Sequence, residues 1–348
     1  MNDMVLKKYL AAFLLGVAFL TVSFMNVSCV TQGLDGLEYE IGVAPVSYVA
    51  TKGTSNGPIV GTAFDQGRTI LLSAFFTDSN DASHNRTYFT NIPFTYYTSA
   101  AKWAGGTSGA PIPKYWPYMG TMDFIALSKE GLSGTVTTTP ASQIAYAMPD
   151  NSSNQDDVMM AYAGGRSCSE HDIVPLSFRH AQAQVSVKTK LASNAGEQNY
   201  GITVRSVTLR RARYSGTVTG TATGINDVTF SWSDVASGTQ ADVAFGTSSL
   251  ILSSTAQAYG KGILLPAQSP TGVAGTIDIL IEYTLVVGAN YPGTGDSDPV
   301  ISEVYTIPAT SWTAGNKYTY VFTLSRSGLA CEVNVTEWID GSTYTETI

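Results

Sequence analysis

The chain has 348 residues and a formal net charge of −8. Residues 1–28 hold Asp3, Lys7 and Lys8, which sum to +1, so a chain without them carries −9; such an acidic balance argues against nucleic acid as a partner, because phosphate binding needs basic patches. Charged residues make up only 13% of the chain while Gly and aromatic residues are plentiful, the make-up of an extracellular β-protein rather than of a helical cytoplasmic enzyme.

At the start, Lys7 and Lys8 precede an uncharged apolar run from Leu10 to Phe24, and Cys29 follows. A short positive region followed by such a run reads as a secretory signal. The cysteine just beyond it points to cleavage before Cys29 and acylation of its thiol, which would tether the exported protein to a membrane. Two other readings stay open at this point. The uncharged stretch from Tyr9 to Val30 is just long enough to span a bilayer uncleaved, and Cys29 is incidental if the signal is that of a soluble secreted protein.

Beyond the signal the periodicity is that of strands. Thr69–Thr77 and Ile202–Leu209 are β-rich runs. Val185, Val187 and Leu191 alternate with Ser186, Lys188 and Lys190. In Thr276–Val287 the residues Ile277, Ile279, Ile281, Tyr283 and Leu285 form one apolar face, and Tyr318, Tyr320, Phe322 and Leu324 do the same in Lys317–Leu324, as half-buried strands require. Helix signals are poor; short helical turns are expected at most near Ser128–Leu132 and Ser231–Ser237. Gly and Pro punctuate the chain at Gly105–Pro113 and Tyr291–Pro299, and many short strands between turns indicate sandwiches or barrels. No short fixed repeat is present, which excludes a solenoid or propeller. Asp150–Asp172 reads as a polar, irregular stretch. The expected organisation is therefore all-β: a signal peptide at 1–28, one β-sandwich at 29–176 and a second at 177–348.

Candidate chemistry is sparse. Gly106–Pro111 carries the GxSGxP pattern of chymotrypsin-like serine nucleophiles, but no Asp or Glu lies between His84 and Ser108, so a triad in that family's order is missing its acid. Glu170, His171 and Asp172 are adjacent on one loop, which rarely brings ligands to a single ion. The segment Gly293–Asp298 lacks the spacing and closing glutamate of an EF-hand. Of the three cysteines, Cys168 and Cys331 are expected as buried thiols, with a disulfide open to them after export. No metal, cofactor or catalytic residue is expected. Trp103, Tyr115 and Trp116 form an aromatic group with two possible uses: stacking on a ligand such as a sugar, or filling the core.

A set of segments in order resembles the fimbrillin family, the subunits of type V pili in Gram-negative anaerobes. Leu37–Lys52 resembles the family's first strand. Tyr115-Trp116-Pro117 followed by Met122–Ala126, then Asp157–Ala161, then Val174–Val187 with Phe178 and His180, and finally Trp312–Tyr320 with Val335 and Trp338, resemble the family's later motifs. The resemblance implies two transthyretin-like β-sandwich domains in tandem. It implies export to the outer membrane through lipid on Cys29 and partnership with other fimbrillin subunits. A trypsin-like protease would cut after Lys52, with Arg68 as second choice, and remove the first strand; a neighbour's strand would then fill the groove by β-strand addition. Gly341–Ile348 is a candidate short donor, and so short a tail also fits a tip subunit that accepts a strand without donating one. His180 and Trp338 are read as packing residues. The competing function is a non-polymerising surface lipoprotein that binds glycans or host ligands.

Overall fold

The structure is a computed structural model that describes residues 39–47, 69–97, 102–107, 110–128, 134–136, 141–147, 155–192, 200–269, 271–272, 275–287, 299–308, 311–337 and 346–347. The signal peptide, Cys29, Lys52, Arg68, Ser108, the segment 293–298 and Trp338 lie outside the described residues. The first part of the chain forms β1 (Val43–Ser47), β2 (Thr69–Thr77), β3 (Arg86–Tyr97), β4 (Lys102–Thr107), β5 (Ala110–Pro111), β6 (Thr121–Leu127), β7 (Gly134–Val136), β8 (Ala141–Ala147), β9 (Met159–Ser167) and β10 (Val174–His180). There follow β11 (Ala183–Leu191), β12 (Tyr200–Arg213), β13 (Ser215–Ala222), β14 (Val228–Ser233), β15 (Gln240–Ala244), β16 (Leu250–Ile251), β17 (Gln257–Ala258), β18 (Ile263–Leu265), β19 (Thr271–Gly272) and β20 (Gly275–Thr276). The last are β21 (Asp278–Val287), β22 (Val300–Thr306), β23 (Asn316–Ser325), β24 (Gly328–Glu337) and β25 (Glu346–Thr347). The fold is all-β: the described residues hold no α-helix, only 3-10 turns at Ala82–His84 and Val235–Ser237. The helical turn expected over Ser231–Ser237 is shorter than read, because Ser231–Ser233 completes β14.

The first large sheet has the order β1-β10-β9-β6-β2-β3-β4-β5, and a further pairing of β1 with β4 closes it on itself. Its interior holds Ile41, Val43, Leu72, Phe94, Phe124, Leu176 and Phe178 in one core. The strands β2, β6 and β9 are buried on both faces. Leu72, Phe124 and Met159 point into that core, while Leu71, Leu127 and Met160 pack outward against Val218, Val228, Phe230 and Trp232. Burial on two faces produces continuous apolar runs in place of alternation. That explains why 150–172 read as irregular: its Met159–Ala163 portion is a sheet-centre strand, not a loop.

The opposing layer is a small sheet of order β14-β13-β8-β7. It joins the hairpin Ser215–Ser233 to β8 through seven register pairs running from Ser215↔Ala147 to Thr221↔Ala141. The Trp232 indole N–H donates to Ala181 O at 2.6 Å and pins this hairpin to the larger sheet. Strands on either side of position 176 therefore share one sheet. Residues 176 and 177 both lie inside β10, and the passage to the later sheets falls at Ala181–Gln182.

The remaining core lies between the sheets β17-β11-β23-β24-β25 and β15-β12-β21-β22. In β12 the buried set runs Ile202, Val204, then Val207, Leu209, then Ala212. Each change of phase coincides with a break in register, between Val204 and Ser206 and between Leu209 and Ala212. An extra residue at a bulge moves the inward set by one position, which keeps a long strand facing the same core as it twists. Arg211 takes φ +64 at the second bulge, and it and Arg210 both bind the carboxylate of Asp278, which is 3% exposed.

Candidate functional site

The site is the place of the first strand. β1 runs parallel to β10, in register from Val43↔Val174 to Ser47↔Phe178, whereas every other pairing in that closed sheet is antiparallel. On its other side it touches β4 through Val43↔Trp103. Upstream, Ile41 N–H donates to Lys114 O at 2.6 Å, Trp116 N–H donates to Tyr39 O at 2.8 Å, and Val174 N–H donates to Gly42 O at 3.0 Å. The segment 39–47, with β1 as its strand portion, is thus stitched along both sides.

Its side chains follow a period of two. Ile41 is 0% and Val43 1% exposed, and Pro45 is buried, while Ala44 faces solvent. The inward residues meet Leu176, Phe178, Trp103 and Trp116 within one core. At the entry, the Tyr39 ring stacks on His171 with centroids 3.9 Å apart and planes 8° from parallel. His171 adopts φ +54, a left-handed conformation that turns the β9–β10 loop toward the strand. The far wall is fixed by Tyr88, whose hydroxyl donates to Tyr115 O at 2.9 Å; burial holds that phenol above its ordinary pKa. The end of β4 also sits tight against this wall: a side chain at Gly105 would place its Cβ 2.4 Å from Ile112 O, and β4 pairs with β5 at Gly106↔Pro111 and Thr107↔Ala110.

Trp103 and Trp116 are 7% and 4% exposed. Trp103 meets the edge of Tyr96, and Trp116 the edge of Phe124. Neither offers a free ring face for stacking on a ligand while β1 is in place; Tyr115 is half-buried and bridges Glu40. His171 is placed on Tyr39, and among the described residues no group of three or more His, Cys, Asp or Glu converges as for a metal. Cys168 and Cys331 are both free. They belong to different cores, and burial pushes both thiols up to about 12.

Two of the sequence motifs meet at the base of the sheet. Asp157 Oδ1 lies 2.8 Å from His180 Nδ1, with both side chains almost completely buried. Ser128 Oγ donates to Asp157 O and accepts from Met159 N–H, each at 2.9 Å. Gln182 Oε1 accepts from Val158 N–H at 2.8 Å. Across the passage to the later sheets, Gln155 Oε1 accepts from Leu264 N–H at 2.7 Å. His180 is thus more than a packing residue: it pairs with a buried acid where the sheets join. The recurrence of Asp in one motif and His in the next was the available signal, but spacing in sequence does not reveal contact.

The fimbrillin-like family matches residues 53–338. The chain belongs to the fimbrillin-like family. The matched span starts directly after Lys52, so β1 lies upstream of it. Among solved structures, a fimbrial protein from Bacteroides vulgatus superposes with a TM-score of 0.54 at 15% identity, covering 86% of this chain and 99% of that one. A protein assigned to cell adhesion from Bacteroides ovatus gives 0.50 at 15% identity, covering 88% and 100%. At such identities the likeness is one of fold. No curated protein matches the chain. As a fimbrillin-like chain it falls in a family of structural fimbrial subunits rather than of enzymes.

Proposed function

We propose that this fimbrillin-like chain is a surface fimbrial subunit assembled by strand replacement. The observation that carries the reading is the seat of β1, with Ile41, Val43 and Pro45 facing inward while the strand lies upstream of Lys52 and Arg68. Cleavage by a trypsin-like protease after either residue would leave β1 attached by non-covalent contacts alone. Its departure would expose the unpaired edge of β10 and an apolar groove. A strand from another subunit restores the hydrogen bonds along that edge and offers alternate side chains to the vacated pockets. Until then β1 covers an edge that would otherwise pair indiscriminately.

Export as a lipoprotein through Cys29 fits this order of events. The lipid holds the subunit at the outer membrane and leaves with β1 when the chain is cut. For the donor, Gly341–Ile348 is the candidate. Its Glu346–Thr347 portion pairs with Asn334 and Val335 on β24, which places it beside its own edge strand before any exchange. The test is limited digestion with trypsin, followed by N-terminal sequencing and SDS electrophoresis without boiling. New N-termini after Lys52 or Arg68 together with SDS-resistant ladders are expected. A trimmed protein that stays monomeric would refute assembly by this route and favour the non-polymerising surface lipoprotein.

A further inference from the structure

The strands β6, β9 and β10 run between two ends of the closed sheet. At one end the pairs Leu127↔Met160 and His180↔Met159 adjoin the passage to the later sheets. At the other end, beyond Thr121↔Ser167, backbone bonds gather three segments. Ile41 N–H donates to Lys114 O, Trp116 N–H to Tyr39 O, Cys168 N–H to Gly120 O and Val174 N–H to Gly42 O. Residues 39–42, 112–120 and 168–173 therefore form one pole, at the end of the sheet opposite the passage at Ala181–Gln182.

This pole is apolar where it meets solvent. Tyr39, Ile112, Tyr118, Met119 and Ile173 are 38–59% exposed, and each stands within two residues of one of those four bonds. Among the described residues the other large apolar side chains so exposed are Ile225, Ile251, Val300 and Val304, all on the later sheets and their turns. The closed sheet thus gathers its exposed large apolar side chains at the end where the chain enters. Such residues scattered singly need no account, whereas a gathered set marks a contact surface.

The chain upstream decides what the surface meets. Tyr39 follows Cys29 by ten residues, about 35 Å at full stretch. On the lipoprotein reading, on which this inference rests, lipid on Cys29 holds this pole next to the bilayer and turns the passage to the later sheets away from it. The residue types suit that neighbour. Tyrosine, an apolar ring with a polar tip, belongs at the boundary of water and hydrocarbon, and Ile112, Met119 and Ile173 supply area to bury in it. With −9 on the exported chain, anionic headgroups do not supply the attraction, so the contact is apolar. We infer that the pole formed by Tyr39, Ile112, Tyr118, Met119 and Ile173 is a docking surface for a lipid bilayer, which orients the tethered subunit before β1 leaves.

The test replaces the lipid by a hexahistidine tag ahead of residues 29–348 carrying Cys29→Ser, held on vesicles of phosphatidylcholine and phosphatidylethanolamine with a nickel-chelating lipid. The tether is then independent of acylation, which is scored separately by the mass of the N-terminal peptide of the cellular protein. An environment-sensitive dye is placed at Met119→Cys or, as control, at Ile251→Cys on β16. Brominated lipid is the quencher, and the chain without an introduced cysteine gives the background from Cys168 and Cys331. Quenching at position 119 is expected to exceed that at position 251 by about threefold or more, since contact scales with the apolar area buried. Tyr118→Ser with Ile173→Ser, both at exposed positions, is expected to remove that excess. Equal quenching at the two positions would overturn the inference, as would an excess that survives the double substitution. Self-association of the untagged chain that the same double substitution abolishes would assign the pole to a second copy and overturn it too.

Discussion

Ile41→Ala tests the seat of the first strand most directly. Ile41 is 0% exposed, inside the core formed with Val43, Leu176 and Phe178. Truncating a buried isoleucine to alanine costs about 2–5 kcal/mol, the lost transfer energy plus the cavity left behind. In the intact chain this appears as lost folding stability. After cleavage between β1 and β2 the same deficit falls on retention of the severed strand, where it corresponds to roughly thirty- to five-thousand-fold weaker holding. The assay cuts wild type and variant with trypsin and measures by native mass spectrometry the fraction that keeps the β1 segment. Ala44→Ser serves as control, because Ala44 faces solvent between two inward residues and exposed substitutions change stability by no more than about 0.5 kcal/mol. Ile41→Ala should shed the segment far more readily than wild type, and Ala44→Ser should behave like wild type. Equal retention in Ile41→Ala and wild type would refute the groove as the element that holds β1, and so would shedding by Ala44→Ser.

Three further outcomes follow from the same contacts. His180→Ala leaves the Asp157 carboxylate buried beside the lost ring and should lower unfolding free energy by about 3–5 kcal/mol in a denaturant titration. Trp232→Phe removes the indole donor to Ala181 O and should cost about 1 kcal/mol, with faster amide exchange concentrated in the hairpin Ser215–Ser233. Burial raises the Cys168 and Cys331 thiols to about 12 in the folded protein, against about 9 when unfolded. The unfolded chain therefore loses these protons first as pH rises, so their contribution to stability is present below pH ~9 and declines toward pH ~12. Thermal melts across that window should show falling Tm, and iodoacetamide at neutral pH should label the buried Cys168 only after unfolding, while Cys331, half-buried rather than buried as expected, is the more accessible of the two.

The legible part of this protein was local. Alternation over Lys317–Leu324 and the strand around Ile279 marked strands to within a residue or two of where they stand, because a half-buried strand repeats every two residues whatever its partner, and the β-rich composition of Thr69–Thr77 marked β2. Strands buried on both faces erase that signature, which is why Met159–Ser167 passed for loop. The aromatic group was visible, but its use was not: Trp103 and Trp116 differ from ligand-stacking residues only in what covers them, and the cover is β1.

The sequence by itself determined the all-β class and the family motifs, since each depends on neighbours along the chain. The tertiary structure alone decided which strands meet. The parallel register of Val43 with Val174, the joining of Ser215–Ala222 to β8, and the contact of Asp157 with His180 all link residues far apart in sequence. Alternation states which face of a strand is apolar and leaves its partner open. The partner is chosen by the closure of the whole sheet around one core, and that choice is what makes the first strand a plug with a groove of its own.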